Sequence, residues 1–191
     1  VTDTAEPGEV DAALPEAEVA ADVPAEVAAD VPAEVADAEA SPTCPSPPFG
    51  TAVGDTLADY TLYTCEGEPV ALSSVCDRDV TFLNLFAGWC PPCNSHAQTA
   101  RADYADLAAG TASLAWLFVI TEDSTGAPAD LDYCAAVRES YALPMTVLVD
   151  LEGRLPDHLG LGSPNSWYLV MSSGLRLEAR FKYDKDGALE R

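Results

Sequence analysis

Two cysteines separated by two prolines, Cys90-Pro91-Pro92-Cys93, are the residues of this sequence best placed for chemistry. The spacing lets a disulfide close within one helical turn. If a helix starts there, the first sulfur lies at its N-terminus, where unpaired N–H groups and the macrodipole favour a thiolate. The second sulfur lies a turn deeper and stays protonated until it resolves a mixed disulfide. Prolines suit the first turn, because its N–H groups have no helical acceptor. The competing reading of a CxxC is half of a zinc site, which needs two more soft ligands. Cys44, Cys65, Cys76 and Cys134 form no second CxxC, and His96 and His158 lack a His-pair spacing. Neither a metal nor an organic cofactor is expected.

The elements around the pair follow from hydrophobic periodicity. Val80–Phe86 is a short apolar run of buried-strand length, and a helix is expected to begin near Cys93. Ala97, Ala100, Tyr104, Leu107 and Ala108 mark its apolar face, and Gly110 is its natural stop. His96 falls on the opposite, solvated side. Leu114–Ile120 is a second buried strand, Leu131–Tyr141 a second helix with Asp130 as N-cap, and Thr146–Val149 a short strand. Trp167–Met171 and Leu175–Phe181 flank Ser172-Ser173-Gly174 as a hairpin. Upstream, Tyr60–Tyr63 and Pro69–Ala71 form an N-terminal β-hairpin around Gly67, and Leu72–Val75 one helical turn. The βαβ alternation implies an α/β fold, a central mixed sheet flanked by helices. Trp116 reads as core, Trp167 as core or strand surface, and His158 as a surface residue in a turn.

Charge divides the chain. The 191 residues carry 32 acidic and 9 basic side chains, a net charge of −23. That excludes a nucleic-acid or anionic-membrane surface, which would need a basic patch. Twelve of the acids and none of the bases fall in residues 1–43. There the unit VAADVPAE occurs twice, at Val19–Glu26 and Val27–Glu34, with prolines recurring to interrupt any helix. The segment has no aromatic residues to offset ordering entropy by burial. Residues 1–43 are expected to be a disordered, self-repelling acidic linker, with a partner-binding tail as the alternative, and residues 44–191 the folded domain. The longest apolar run, Leu114–Ile120, is far shorter than the ~20 residues of a spanning helix. The chain begins with Val1, so its N-terminus is expected to have been removed or left out.

The stretch VTFLNLFAGWCPPC, Val80–Cys93, resembles the thioredoxin superfamily, and most closely its extracytoplasmic TlpA/ResA-like redoxin branch. The matching residues are Asn84, Phe86, Ala87, Trp89, Cys90 and Cys93. Gly54-Asp55 and Leu62 through Leu72 resemble the family's first hairpin. Tyr141–Gly153 resembles its inserted segment, and Gly162-Ser163-Pro164 with Trp167–Met171 and Gly174 its final hairpin. The resemblance covers about residues 50–182 and implies a thioredoxin-like fold. It makes Pro164 the expected cis-proline, presenting the Ser163 backbone to a substrate chain, with Pro144 as the competitor. Trp89, Pro91 and Pro92 complete the substrate-binding set it implies, with simple packing an equal reading for Trp89. Two departures stand out. Asn84 replaces the buried Asp of thioredoxins proper, which leaves water or Glu122 as acceptor for the Cys93 proton. Asn165 and Ser166 replace a usual Thr pair.

The other four cysteines bear on compartment. Cys65 and Cys76 bracket the first hairpin, and a bridge there would stabilise by roughly 3 kcal/mol. Cys44 precedes the domain and Cys134 lies in the second helix, where a bond between them would staple the linker end down; their pairing stays open. Six cysteines are many for a chain kept reduced in a cytosol. The reading that follows is an extracytoplasmic thiol–disulfide oxidoreductase, a monomer in which Cys90 attacks and Cys93 resolves. Its partners would be a disulfide-containing protein substrate and a redox protein that recycles it. The acidic linker suits a periplasmic or envelope protein tethered by an N-terminal lipid anchor. Two alternatives stand beside it. One is a thiol peroxidase of the related peroxiredoxin type, whose chemistry usually has a Thr three residues before the attacking Cys; Ala87 stands there. The other is a non-enzymatic envelope binding protein with a static CPPC disulfide.

Overall fold

A computed structural model describes residues 44–190, so the expected linker lies outside the described residues. Strands β1 (Thr61–Thr64) and β2 (Pro69–Ala71) form the first hairpin, followed by a 3₁₀ turn at Leu72–Val75. Then come β3 (Val80–Ala87), α1 (Pro91–Gly110), β4 (Leu114–Glu122), α2 (Leu131–Ser140) and β5 (Thr146–Val149). The chain continues through α3 (Leu155–His158), β6 (Trp167–Ser172), β7 (Arg176–Lys182) and α4 (Lys185–Leu189). The seven strands form one mixed sheet in the order β2-β1-β5-β4-β3-β6-β7. β3, β4 and β5 run parallel at its centre, and antiparallel strands flank them. This is the thioredoxin-like α/β architecture with an added N-terminal hairpin.

The period-2 alternation of the central strands sorts the core into two chemically distinct halves. Phe82, Phe86, Trp116, Phe118 and Tyr168 face one side, with Ala97 and Ala100 of α1 and Val137 of α2 packed among them. Leu83, Leu85, Leu117, Val119, Leu148 and Leu169 face the other, under Leu57, Leu72, Leu155 and Leu159. Aromatic bulk fills the space below the long helices, and aliphatic side chains fill the thinner layer. Two short helices, α3 and α4, carry too few residues to show a periodicity in the sequence. Pro156 sits in the first turn of α3, and the Asp184 side chain caps α4 by accepting from Gly187 N.

Two expectations are corrected. Cys65 bonds to Cys134 and Cys44 to Cys76, instead of Cys65 to Cys76 and Cys44 to Cys134. The sheet itself separates the expected partners. Tyr63 and Cys65, two residues apart, lie on the aromatic face with Cys134, while Cys76 belongs to the aliphatic face. Proximity along the hairpin was therefore misleading. The cis peptides among the described residues are Cys44–Pro45 and Pro47–Pro48, so Ser163–Pro164 and Leu143–Pro144 are trans. A left-handed residue, Ser166 with φ 54°, turns the chain into β6 two positions after Pro164.

A buried polar hub joins the first hairpin to the sheet. Tyr60 Oη donates to Asp150 Oδ1 at 2.8 Å, and Leu155 N donates to Asp150 Oδ2 at 2.7 Å. His158 packs its ring on Tyr60 and bonds through Nε2 to Ala58 O at 3.1 Å, so it is a structural residue. Burial, reinforced by the Asp150 carboxylate, pushes the Tyr60 phenol up to about 12. Tyr60→Phe removes a donor from a carboxylate that is 1% exposed, at an expected cost of about 1.5–3 kcal/mol. A raised folded-state pKa keeps its stabilisation whole below the ordinary tyrosine value and loses it as pH climbs toward 12. Urea midpoints between pH 8 and pH 11.5 should thus fall less steeply in Tyr60→Phe than in the parent protein. Parallel curves would show that the hub does not control alkaline stability.

Candidate active site

β3 ends at Ala87, and the chain turns through Gly88 and Trp89 into α1. A Cβ on Gly88 would sit 2.9 Å from Ser124 N and collide with the Tyr133 hydroxyl, so the turn admits only glycine. Cys90 is the N-cap of α1, and Pro91 and Pro92 occupy the first helical positions. Cys93 N donates to Cys90 Sγ at 3.3 Å, so the sulfur itself serves as the capping acceptor. The first turn of α1 carries no acidic side chain to oppose negative charge there. Cys90 and Cys93 are joined as a disulfide and are 1% and 3% exposed.

A second segment closes over the pair. Asn165 Nδ2 donates to Cys90 Sγ at 3.4 Å, and Ser166 Oγ lies 3.8 Å from Cys90 Sγ and 3.5 Å from Cys93 Sγ. Ser166 is fully buried in its left-handed conformation, which costs a non-glycine residue about 1–2 kcal/mol. Hydrogen bonds hold it there: Ser166 N to Leu85 O at 3.1 Å, and Tyr183 N to Ser166 O at 2.9 Å. Thr121 Oγ1 lies 2.7 Å from Pro164 O and 2.9 Å from Phe86 O, tying this segment to β3. The residues that looked like a departure from the family pattern thus touch the sulfurs directly. Ser163 and Pro164 are half-buried one step away, with Ser163 Oγ accepting from Trp167 Nε1 at 3.1 Å.

The rim is aromatic. Trp89 is 43% exposed, and its indole donates to Glu122 Oε2 at 2.6 Å. Glu122, considered above as a proton acceptor for Cys93, is therefore engaged in orienting Trp89. Pro91 and Pro92 are exposed beside it. Across the site Tyr183 is 51% exposed, its hydroxyl accepts from Asn165 Nδ2 at 3.4 Å, and Lys182 Nζ lies 5.2 Å from its ring. Inside the sheet, Asn84 Oδ1 accepts from Trp116 Nε1 at 2.7 Å, so the amide serves the core and offers no base.

Two contacts were not legible in the sequence. Asn94 donates to Gly88 O at 2.9 Å and Cys90 O at 3.0 Å, and accepts from Tyr141 Oη at 2.8 Å. It locks the cysteine turn against the end of α2, a contact whose partner is 47 residues away. His96 is half-buried, against expectation, because α4 covers that side of α1. Its Nδ1 is hydrogen-bonded to the Tyr168 hydroxyl, and burial holds its pKa below the ordinary histidine value.

The sequence profile of the AhpC/TSA family matches residues 53–191, most of the chain and all of this site. The chain belongs to the AhpC/TSA family. As an AhpC/TSA redoxin, it is a thioredoxin-like oxidoreductase. Solved structures share the fold at low identity. The peroxidoxin BcpB from Mycobacterium tuberculosis is 22% identical, with a TM-score of 0.60 over 74% of this chain and 96% of that one. StoA from Bacillus subtilis is 14% identical, with a TM-score of 0.54 over 74% of this chain and 100% of that one. A secreted Mycobacterium tuberculosis disulfide oxidoreductase homologous to Escherichia coli DsbE is 19% identical, with a TM-score of 0.50 over 69% and 94%. No curated protein matches the AhpC/TSA chain in sequence. Among the described residues no helix is long and apolar enough to cross a membrane.

Proposed function

We propose that this redoxin reduces protein disulfides in the cell envelope through Cys90 and Cys93. The carrying observation is the pair of donors on Cys90 Sγ at the start of α1: Cys93 N and Asn165 Nδ2. In the reduced protein they and the helix dipole stabilise negative charge on that sulfur. The thiolate attacks one sulfur of a substrate disulfide. A bond forms between Cys90 and the substrate, and the substrate's other sulfur leaves as a thiolate that takes a proton from water. Cys93 then loses its proton and attacks Cys90 Sγ. The Cys90–Cys93 bond forms, the bond to substrate breaks, and the substrate has gained the two electrons the pair has lost. A separate dithiol protein returns the pair to the reduced state. Trp89, Pro91 and Pro92 on one side and Ser163 and Pro164 on the other frame the path of the substrate chain. Because the pair is nearly sealed, it reacts only when a covering side chain moves.

Envelope location is supported by the Cys44–Cys76 and Cys65–Cys134 bonds, which cytosolic reductants would not leave intact. The direction of transfer is tested by the equilibrium reduction potential of Cys90–Cys93, read by thiol alkylation and mass spectrometry across a redox buffer series. A reversible two-electron couple near about −270 mV is expected for a reductant. A value near about −120 mV would make the protein an oxidant, and a pair still oxidised below about −300 mV would make the disulfide static.

A thiol peroxidase is the second reading, favoured by the likeness to a peroxidoxin. Ala87, three residues before Cys90, is buried at the end of β3 and brings no hydroxyl to a peroxide. Oxidation of the reduced pair by hydrogen peroxide in stopped flow separates the two: the reductase reading expects it no faster than a free thiol at the same pH.

A further inference from the structure

The sulfur assigned to attack lies under two layers of side chain. Cys90 is 1% exposed, Asn165 is 4% exposed and touches it, and Tyr183, 51% exposed, touches Asn165. Asn165 Nδ2 lies 3.4 Å from Cys90 Sγ and 3.4 Å from Tyr183 Oη, so one amide hydrogen goes to the sulfur and the other to the phenol. Tyr183 belongs to a short strap between β7 and α4, where its φ of 60° is a left-handed conformation that bulky residues rarely adopt. The strap itself is well fixed. Tyr183 N donates to Ser166 O at 2.9 Å, Asp184 caps α4, and Lys185 pairs with Asp103 of α1 at 2.7 Å. The ring is held far more lightly, by the long bond from Asn165 and by Lys182 Nζ, 5.2 Å from its centre.

We infer that Tyr183 and Asn165 form a latch over Cys90 that selects disulfides carried on a polypeptide chain. The inference rests on the thiol–disulfide reading above and names the covering side chain which that reading requires. With both hydrogens taken, the carboxamide stays against the sulfur. The strap's anchors hold its backbone in place, so opening is a rotation of the Tyr183 side chain. That rotation strips an acceptor from a buried amide, which is unfavourable unless another acceptor arrives. An extended chain laid against the rim brings a carbonyl at every residue. It displaces the ring and takes over the amide hydrogen in one movement. A small reagent brings no such chain and reacts only while the ring has swung away by itself. Asn165 touches a reacting sulfur and is catalytic, whereas Tyr183 acts through it as a positioning residue.

The conformation of Tyr183 supports a working role. Glycine or asparagine would take the left-handed position at less cost. A tyrosine there places its hydroxyl on an amide 18 residues away, which itself lies on the attacking sulfur. Strain of this kind persists only where the surrounding structure over-determines it. Trp89, 43% exposed, lies across the site, so an aromatic ring borders the path to Cys90 on each side. The charged side chain facing the Tyr183 ring is Lys182, whose ammonium also lies 5.4 Å from the Trp167 ring.

The test reads charge and access separately. The reduced full-length protein is alkylated with iodoacetamide from about pH 4 to about pH 10, and the Cys90 adduct is followed by mass spectrometry. The inflection reports stabilisation of the Cys90 thiolate, and the plateau above it reports access. Asn165→Leu should raise the inflection by about one pH unit, the scale of a hydrogen bond lost from a charged group. Tyr183→Phe keeps the cover and loses the hydroxyl, and should raise it by about half a unit. Tyr183→Ala removes the cover. Its plateau should rise about tenfold, the gain when a conformation open roughly a tenth of the time becomes the standing one. Selection is read with a linear synthetic peptide whose one cysteine is disulfide-linked to thionitrobenzoate. The ratio of peptide rate to iodoacetamide rate should fall about tenfold in Tyr183→Ala and be kept in Tyr183→Phe. Tyr183 is half exposed, so neither of its variants opens a hole in the core. An unmoved inflection in Tyr183→Phe overturns the latch alone, as does an unmoved plateau or ratio in Tyr183→Ala. A parent protein whose Cys90–Cys93 bond resists dithiothreitol overturns the thiol–disulfide reading and the latch with it.

Discussion

Reduced Cys93→Ser protein, mixed with an oxidised protein substrate, should accumulate as a covalent complex through Cys90. Cys90→Ser should form none. The asymmetry follows from position. Cys90 is the N-cap of α1 and accepts from Cys93 N and Asn165 Nδ2, so its sulfur is the one prepared for attack. Cys93 lies in the helix against Ser166 and has no role until a mixed disulfide exists. Turnover should fall on the order of a thousandfold or more in either variant, because each removes a reacting group. The complex is read on non-reducing gels and its linkage by mass spectrometry. Trapping by Cys90→Ser instead would reverse the assigned roles. No complex from either variant, with the parent protein equally inert, would leave the disulfide as a static cross-link.

Loss of the Cys65–Cys134 bond should be the most damaging change outside the active site. The two cysteines are 69 residues apart in sequence, so the bond closes a long loop of the unfolded chain. Chain entropy assigns such a loop about 4 kcal/mol. The paired variant Cys65→Ala/Cys134→Ala should therefore lose roughly 10 °C in thermal midpoint, measured by calorimetry against the parent. A shift of a degree or two would show that the unfolded state is little constrained by this link. Peptide mapping without reductant provides the covalent check. It should join the Cys65 peptide to the Cys134 peptide and the Cys44 peptide to the Cys76 peptide. A Cys65–Cys76 peptide would overturn the pairing and halve the argument for the α2 contact.

The bond also has a local consequence. Cys134 lies in α2, whose far end carries Tyr141, and Tyr141 holds Asn94 beneath the cysteine turn. The first hairpin is thereby linked through α2 to the base of the reactive helix. Arg138 and Glu66 add an exposed ion pair at 2.7 Å across the same junction, a contact worth little by itself in water.

By itself the sequence determined whatever depends on neighbours a few residues apart. The strand–turn–helix around Cys90 and Cys93 is local: an apolar run, a glycine, two prolines and an apolar helical face. The strands β3, β4 and β5, the Asp130 cap of α2 and the first hairpin follow from the same short-range periodicity. Tertiary structure alone decided which distant residues meet. The disulfide partners depend on which face of the sheet each cysteine occupies. The alternation that puts Cys65, just past the end of β1, on the same face as Tyr63 carries that information only once the sheet is known. Asn165 and Ser166 lie on the sulfurs because β6 pairs antiparallel with β3, which delivers the turn before β6 to the end of β3 where the cysteines begin. His96 leaves solvent because α4, too short to announce itself in the sequence, folds over α1. Periodicity reports burial along one element; the chemistry at Cys90 and Cys93 depends on contacts between elements, and packing alone chooses those.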